Sequence, residues 1–259
     1  MKNFIFKLVA CLNIFLVTIG QVSAKTQDHI MEHTTTPRVI FFDVNETLLD
    51  LEPLKKSVSN VLNNNSDLMK LWFTTMLQYS LVETSTKQYH DFGQVGLASL
   101  VMVANNQGIT LSEEKARQAL IPILHLPAHQ DVRSGLKLLK QKGYKIYALT
   151  NSSKSSVEKQ LTNANIIDLF DGYLSAGELE SYKPNLKVYQ WAAQKVQTPI
   201  ENSMLVAAHG WDITGAQNAN MKTAFISRKG QSLYPLAQKP NYIFANIVDL
   251  ANALPSIKH

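Results

Sequence analysis

Asp43 ends the apolar run Val39 to Phe42 in the stretch "RVIFFDVNETLLD". A short, unbroken apolar run bounded by polar residues reads as a fully buried strand of a parallel sheet. Its terminal carboxylate therefore stands at the edge of that sheet. Three other stretches put reactive side-chain types in comparable places. Thr150 and Asn151 close "YKIYALTN", Ser175 ends "DGYLS", and "AAHGWD" brings His209 and Asp212 behind "SMLVAA". Lys183 stands in "SYKPN", directly before Pro184 at a helix entry. Two acids, a lysine and hydroxyl groups thus converge where open α/β sheets bind ligands, outside the carboxyl ends of their strands.

The elements that must position them alternate. From residue 131 the helix "DVRSGLKLLKQKG" precedes the strand "YKIYALT", and "SSVEKQLTNAN" precedes "DGYLSA". The helix "NLKVYQWAAQKV" precedes "SMLVAA", and "DITGAQNAN" precedes "KTAFIS". Such alternation implies right-handed β-α-β units and a parallel sheet. Residues 52 to about 126 contain no convincing strand. Instead "LMKLWFTTMLQYSLV" and "FGQVGLASLVMVANNQG" show apolar residues at helical spacing, and Ser112 is a cap candidate ahead of early acids. The expected fold is α/β, an open parallel-sheet Rossmann-like core made of residues 37–50 plus 131–259. A helical cap, residues 51–130, is inserted after the first strand. In the cap, Leu71, Met76, Leu81 and Val82 read as packing and His90 as a surface or interface residue. His125 and His129 lack the spacing and acidic company of a metal site.

The first 24 residues read as a secretory signal peptide: two lysines in "MKNFIFK", an apolar "LVACLNIFLVTIG", and small residues Val22, Ser23 and Ala24 ahead of cleavage. A lipoprotein cut at "LVAC" ranks second, because it leaves almost no apolar region ahead of it. The expectation is an exported protein, periplasmic or secreted, with a flexible polar lead-in over residues 25–36 and no membrane attachment after cleavage. Cys11 is the single cysteine and leaves with the signal, which excludes disulfides, thiol nucleophiles and cysteine metal sites from the rest. Without Lys2 and Lys7 the formal charge of +5 falls to +3, and the remaining basic residues are scattered among acids. No nucleic-acid-binding stripe is visible.

"FFDVNETLLD", "ALTNSS", "SYKPNLKVY" and "VAAHGWDITGA" resemble, in order, the four motifs of the haloacid dehalogenase superfamily. Within it the chain is similar to the type II (S)-2-haloacid dehalogenases, including the cap segment "LWFTTMLQYS…YHDF". The resemblance implies that Asp43 is a nucleophile. Its carboxylate would displace halide from C2 of a short 2-haloalkanoate with inversion, and water would hydrolyse the resulting ester. It implies that Lys183 lies against the nucleophile and keeps it ionised. Asp212 would hold Lys183 or orient the hydrolytic water. Thr47, Thr150, Asn151 and Tyr189 would serve the substrate and its neighbours, with a small carboxylate as partner and no cofactor or metal. Type II relatives suggest a homodimer.

Asn45 separates this reading from a magnesium-dependent phosphatase of the same superfamily. There the first motif reads Asp-x-Asp, the second acid protonating the leaving group, and acids of the last motif hold the metal. Here those positions are Asn45 and Ala208. Halide is a weak base and needs no proton, so both losses suit dehalogenation. A non-catalytic binding protein that kept the fold is a third reading. Three residues depart from the type II pattern: Asn45-Glu46 replaces a Tyr-Gly pair, Phe73 replaces an arginine after Trp72, and His209 replaces an asparagine. Loss of the arginine removes a charge-assisted donor worth about 1.5–3 kcal/mol. The positive edge of the Phe73 ring and a partly protonated His209 are the expected substitutes, so that Phe73→Arg should leave activity intact or raise it.

Overall fold

In the computed structural model, residues 36–257 are described. The expected signal peptide, Cys11 and nearly all of the polar lead-in lie outside them. Strand β1 (Val39–Phe42) is wholly buried and alternates between two faces. Ile40 and Phe42 join one apolar cluster while Val39 and Phe41 join another, so helices must cover both sides of the sheet. Truncating a ring such as Phe41 to alanine would cost about 3–5 kcal/mol.

After β1 come helices α1 (Glu52–Val61), α2 (Ser66–Thr86), α3 (Phe92–Asn106) and α4 (Glu113–Leu120), then a 3₁₀ turn, Ile121–His125. Asn65 caps α2 with its side-chain oxygen, Asp91 caps α3 in a capping box with Gln94, and Ser112 caps α4 as expected. Trp72, Met76, Val95 and Leu100 of this helical segment belong to the same buried cluster as Ile40 and Phe42. Cap and sheet therefore share one core. Three of the four cap residues read as packing do not pack: Leu71, Leu81 and Val82 are 44%, 45% and 42% exposed, while Met76 is buried.

The chain then alternates through α5 (Val132–Gln141), β2 (Lys145–Thr150), α6 (Lys154–Asn163), β3 (Gly172–Ser175), α7 (Leu186–Lys195) and β4 (Ser203–Ala207). It ends with α8 (Gly210–Asn218), β5 (Lys222–Ile226), β6 (Tyr242–Phe244) and α9 (Ile247–Ala253). The six strands run in the order β3-β2-β1-β4-β5-β6, all parallel. The order reverses at β1, between β2 and β4, which is the topological switch point where such sheets hold ligands. Asp43 follows β1 directly. Helix α8 packs so closely on the lysine loop that a Cβ on Gly215 would stand 2.5 Å from Pro184 Cβ and 2.6 Å from the Tyr189 hydroxyl.

Candidate active site

The Asp43 N–H donates to Val206 O, 3.0 Å away, extending the ladder one residue past β1. This aims the carboxyl beyond the sheet edge, where no turn amide claims it. Its Oδ1 accepts from Lys183 Nζ at 2.8 Å and its Oδ2 from the Thr47 hydroxyl at 2.7 Å. The Thr47 Oγ1 in turn accepts from the Ala208 N–H at 2.9 Å, which ties the β1 loop to the β4 loop.

Lys183 is only 1% exposed, and its ammonium lies between two carboxylates, donating also to Asp212 Oδ2 at 2.6 Å. Asn151 fixes the lysine backbone: its Oδ1 accepts from Lys183 N at 2.7 Å and its Nδ2 donates to Lys183 O at 3.3 Å. The Tyr189 hydroxyl donates to Asp212 Oδ1 at 2.6 Å. Asp212, in the first turn of α8, spends both oxygens on side chains rather than on capping.

His209 supplies the feature that the motifs alone do not disclose. Its Nδ1 lies 3.2 Å from Asp43 Oδ2 and its Nε2 lies 3.1 Å from Glu46 Oε2. The ring is flanked by Phe73, with centroids 6.4 Å apart, and by Trp211, at 5.2 Å, both nearly parallel to it. Glu46 adopts the left-handed region, φ 65, the conformation a glycine there would take freely. Its carboxylate also accepts from Lys55 and Gln231, each at 2.7 Å. Gln231 and Arg228 have no place in the motif reading, and Glu46 enters it only as a departure from the family's Tyr-Gly pair. Arg228 grips the Thr47 carbonyl through Nε and Nη2, at 3.1 and 2.9 Å, while pairing with Asp131 at 2.8 and 3.0 Å. The available signal for Glu46 was paired: an acid three residues after Asp43 accompanied by a histidine where the family pattern has an amide.

The ionisation states follow from these contacts. Burial resists charge on Asp43, but Lys183 and His209 hold its carboxyl far below the usual carboxylate range. Burial acts against the Lys183 charge too, yet Asp212 and Asp43 raise it. Burial and the neighbouring Asp43 push Asp212 up, against Lys183 and Tyr189. The two acids are thereby driven apart, and Asp43 is the ionised one by the wider margin. Burial disfavours the His209 imidazolium, but hydrogen bonds to Asp43 and Glu46 outweigh it and push the group up to about 9.

A cavity of about 130 Å³ opens above Asp43, between the sheet edge and the helical segment. Its floor is Asp43, Thr150, Asn151, Lys183, His209 and Trp211, and its roof includes Leu54, Phe73, Met76, Leu77, Phe92 and Ile123. Thr47, Tyr189 and Asp212 do not line it. Thr47 and Tyr189, expected beside the substrate, stand behind the floor and bond Asp43 and Asp212. Thr150 lines the cavity while accepting from Ser152 N at 3.1 Å. Both His209 ring nitrogens are committed to carboxylates, so it presents charge but no free N–H, a correction to its expected role as substitute donor. Ser175 turns away and donates to Ser152 O. Asn45 faces Ser152 and Gln160, at 3.3 and 2.9 Å, rather than Asp43. His129 contacts the Glu46 carbonyl, and no group of three His, Cys, Asp or Glu residues suited to a metal occurs among the described residues. The donor set beside Asp43 does not fit magnesium: an ammonium fills the gap between the two acids, and the last-motif position that would add a carboxylate is Ala208.

A buried aspartate paired with a lysine at the switch point of a capped parallel sheet defines a class of hydrolase, and comparison with known proteins agrees. Residues 40–226, well over half the chain, match the haloacid dehalogenase-like hydrolases, and the protein belongs to that family. An (S)-2-haloacid dehalogenase from Pseudomonas fluorescens is 26% identical over 214 residues, covering 82% of this chain and 94% of the relative. One from Pseudomonas putida is 26% identical over 216 residues, covering 83% and 95%. The fold is that of the L-2-haloacid dehalogenase from Xanthobacter autotrophicus solved with chloropropionic acid covalently bound, at a TM-score of 0.78 and 18% identity over 84% of this chain and 98% of that one.

Proposed function

We propose that the protein hydrolyses the carbon–halogen bond of short (S)-2-haloalkanoic acids through an ester on Asp43, acting outside the cytoplasm after loss of residues 1–24. The observation that carries this is an ionised Asp43 held by Lys183, Thr47 and His209 on the floor of a small cavity whose roof is apolar. A carboxylate fixed in this way attacks C2, the carbon–halogen bond breaks on the opposite side, and halide leaves without needing a proton. The names of the relatives, and the covalent chloropropionic acid in the Xanthobacter enzyme, support the same chemistry.

The His209–Glu46 pair supports the second half of the cycle. Ester formation removes one of the two carboxylates that keep His209 protonated, and the imidazolium then releases its proton to solvent. Neutral His209, oriented by Glu46, takes a proton from water as the water oxygen attacks the Asp43 carbonyl carbon. The oxyanion forms on the oxygen that does not carry the ester, stabilised by Lys183 where that is Oδ1 and by Thr47 where it is Oδ2. Collapse breaks the bond to the substrate oxygen, which takes the attacking water's remaining proton and leaves as the 2-hydroxy acid, and returns Asp43 as carboxylate beside a protonated His209. The phosphatase reading has less support, because the donor set does not suit magnesium.

The test is halide release from (S)-2-chloropropionate by residues 25–259, with and without EDTA, beside Asp43→Asn. Release that survives EDTA and vanishes in the variant is expected. No release, with phosphate-ester hydrolysis dependent on magnesium instead, would overturn the proposal.

A further inference from the structure

A second pocket, of about 670 Å³, lies across one wall of the catalytic cavity. Leu51, Leu54, Trp72 and Phe73 line both. The second pocket is rimmed by Lys55 and Lys56 of α1, Lys70 of α2 and Lys229 after β5, against the acids Glu46 and Glu52. Lys55 is committed to Glu46 and Lys70 to Asp67. Among the described residues, no carboxylate lies within ion-pair distance of Lys56 or Lys229. The backbone presenting Lys229 is anchored on both sides. Arg228 is clamped to Asp131 and Thr47, Gln231 donates to Glu46, and Gln231 N bonds Arg228 O at 3.0 Å.

The catalytic floor has no such surplus of positive charge. Asp43, Asp212 and Glu46 are balanced by Lys183, His209 and Lys55, three carboxyl groups against three cations. An anionic substrate gains little long-range attraction from that site, whereas exposed lysines at a concave mouth raise the local concentration of anions. We propose that the lysine-rimmed pocket is a docking subsite for small organic monoanions and halide, where a carboxylate is held before it passes Phe73 and where released halide departs. The inference rests on the carboxylate-substrate reading above.

The test is the double variant Lys56→Glu/Lys229→Glu, whose residues take no part in the catalytic floor. With a 2-bromopropionate substrate, kcat/KM should fall roughly tenfold with kcat unchanged. The deficit should be full at about 10 mM salt and gone near 1 M, where the Debye length shrinks from about 30 to about 3 Å. Broadening of the ³⁵Cl NMR signal by the protein, which needs no turnover, should drop in the same variant. Normal kcat/KM and undiminished broadening in the variant would overturn the subsite while leaving the dehalogenase intact. If the wild type releases no halide from any 2-haloacid, the dehalogenase reading falls separately, and the chloride signal alone decides: lost in the variant supports the subsite, retained overturns it.

Discussion

The floor and the roof of the cavity are built on opposite terms. Asp43, Lys183 and His209 on the floor, with Asp212, Tyr189, Thr47 and Glu46 behind it, form one connected set of hydrogen bonds of 2.6 to 3.2 Å. On the roof, Leu54, Phe73, Met76, Leu77, Phe92 and Ile123 offer no charged or amide side chain, and Trp72 turns its Nε1–H inward to Gly96 O at 2.8 Å. The difference separates two tasks. Placing an ionised carboxylate in a buried site demands partners for every oxygen, since a lone buried charge is far more expensive than a paired one. Holding an alkyl group and a halogen demands only shape and dry surface. Mutations should therefore act on chemistry from below and on selection from above.

The sharpest test of that division is Lys183→Met. It leaves Asp43 and Asp212 facing one another with no ammonium, so halide release should fall by on the order of 10³. Losing one partner of a buried ion cluster should also lower stability by about 3–5 kcal/mol, measurable by urea denaturation. Leu77→Ala on the roof should instead mainly raise KM, with kcat held within about tenfold. Equal losses of kcat from both would break the comparison.

The floor also predicts a pH dependence. His209 rises from 6.5 unfolded to about 9 folded. Its contribution to stability is therefore complete below about pH 6.5 and is lost as pH climbs through about 9, amounting to about 3 kcal/mol. Asp43 and Glu46 are depressed, so their contributions are present above the ordinary carboxylate range and disappear as pH falls through their lowered values. Thermal melts of wild type and His209→Gln should show the alkaline decline in the first and its loss in the second. An unchanged alkaline limb in the variant would place the titrating group elsewhere.

Much of the floor was legible because its signals are local. An apolar run ending in an acid, and a lysine before a proline at a helix entry, single out Asp43 and Lys183, and the order of the four motifs gives them their roles by resemblance. The β-α alternation likewise fixed the parallel sheet. Strand β6 and helix α9 escaped because three and seven residues are too few to establish a period. Glu46 escaped for a different reason. Its partners His209 and Gln231 lie 163 and 185 residues away, and only the closed sheet brings them together. The roof misled most: α2 is apolar on several sides, so spacing could not tell buried Met76 from exposed Leu71, Leu81 and Val82.

Phe73 sits where floor meets roof, and its replacement is the finest test of the division. From the sequence, Phe73→Arg looked harmless or helpful, since it restores the cation of the family pattern. The geometry reverses that expectation. The Phe73 ring lies face to face with His209, 6.4 Å between centroids, and His209 is a cation at neutral pH. A guanidinium in that position meets a like charge in a poorly hydrated site. It should depress His209 and cost roughly tenfold in kcat/KM. Changing His209→Asn in the same chain removes the repulsion and should recover most of that loss for halide displacement. A double-mutant cycle on single-turnover halide release should therefore give a coupling of about 1–3 kcal/mol in favour of the pair. Additive effects would mean that the two rings merely pack, and that the roof's lack of charge is independent of the cation beneath it.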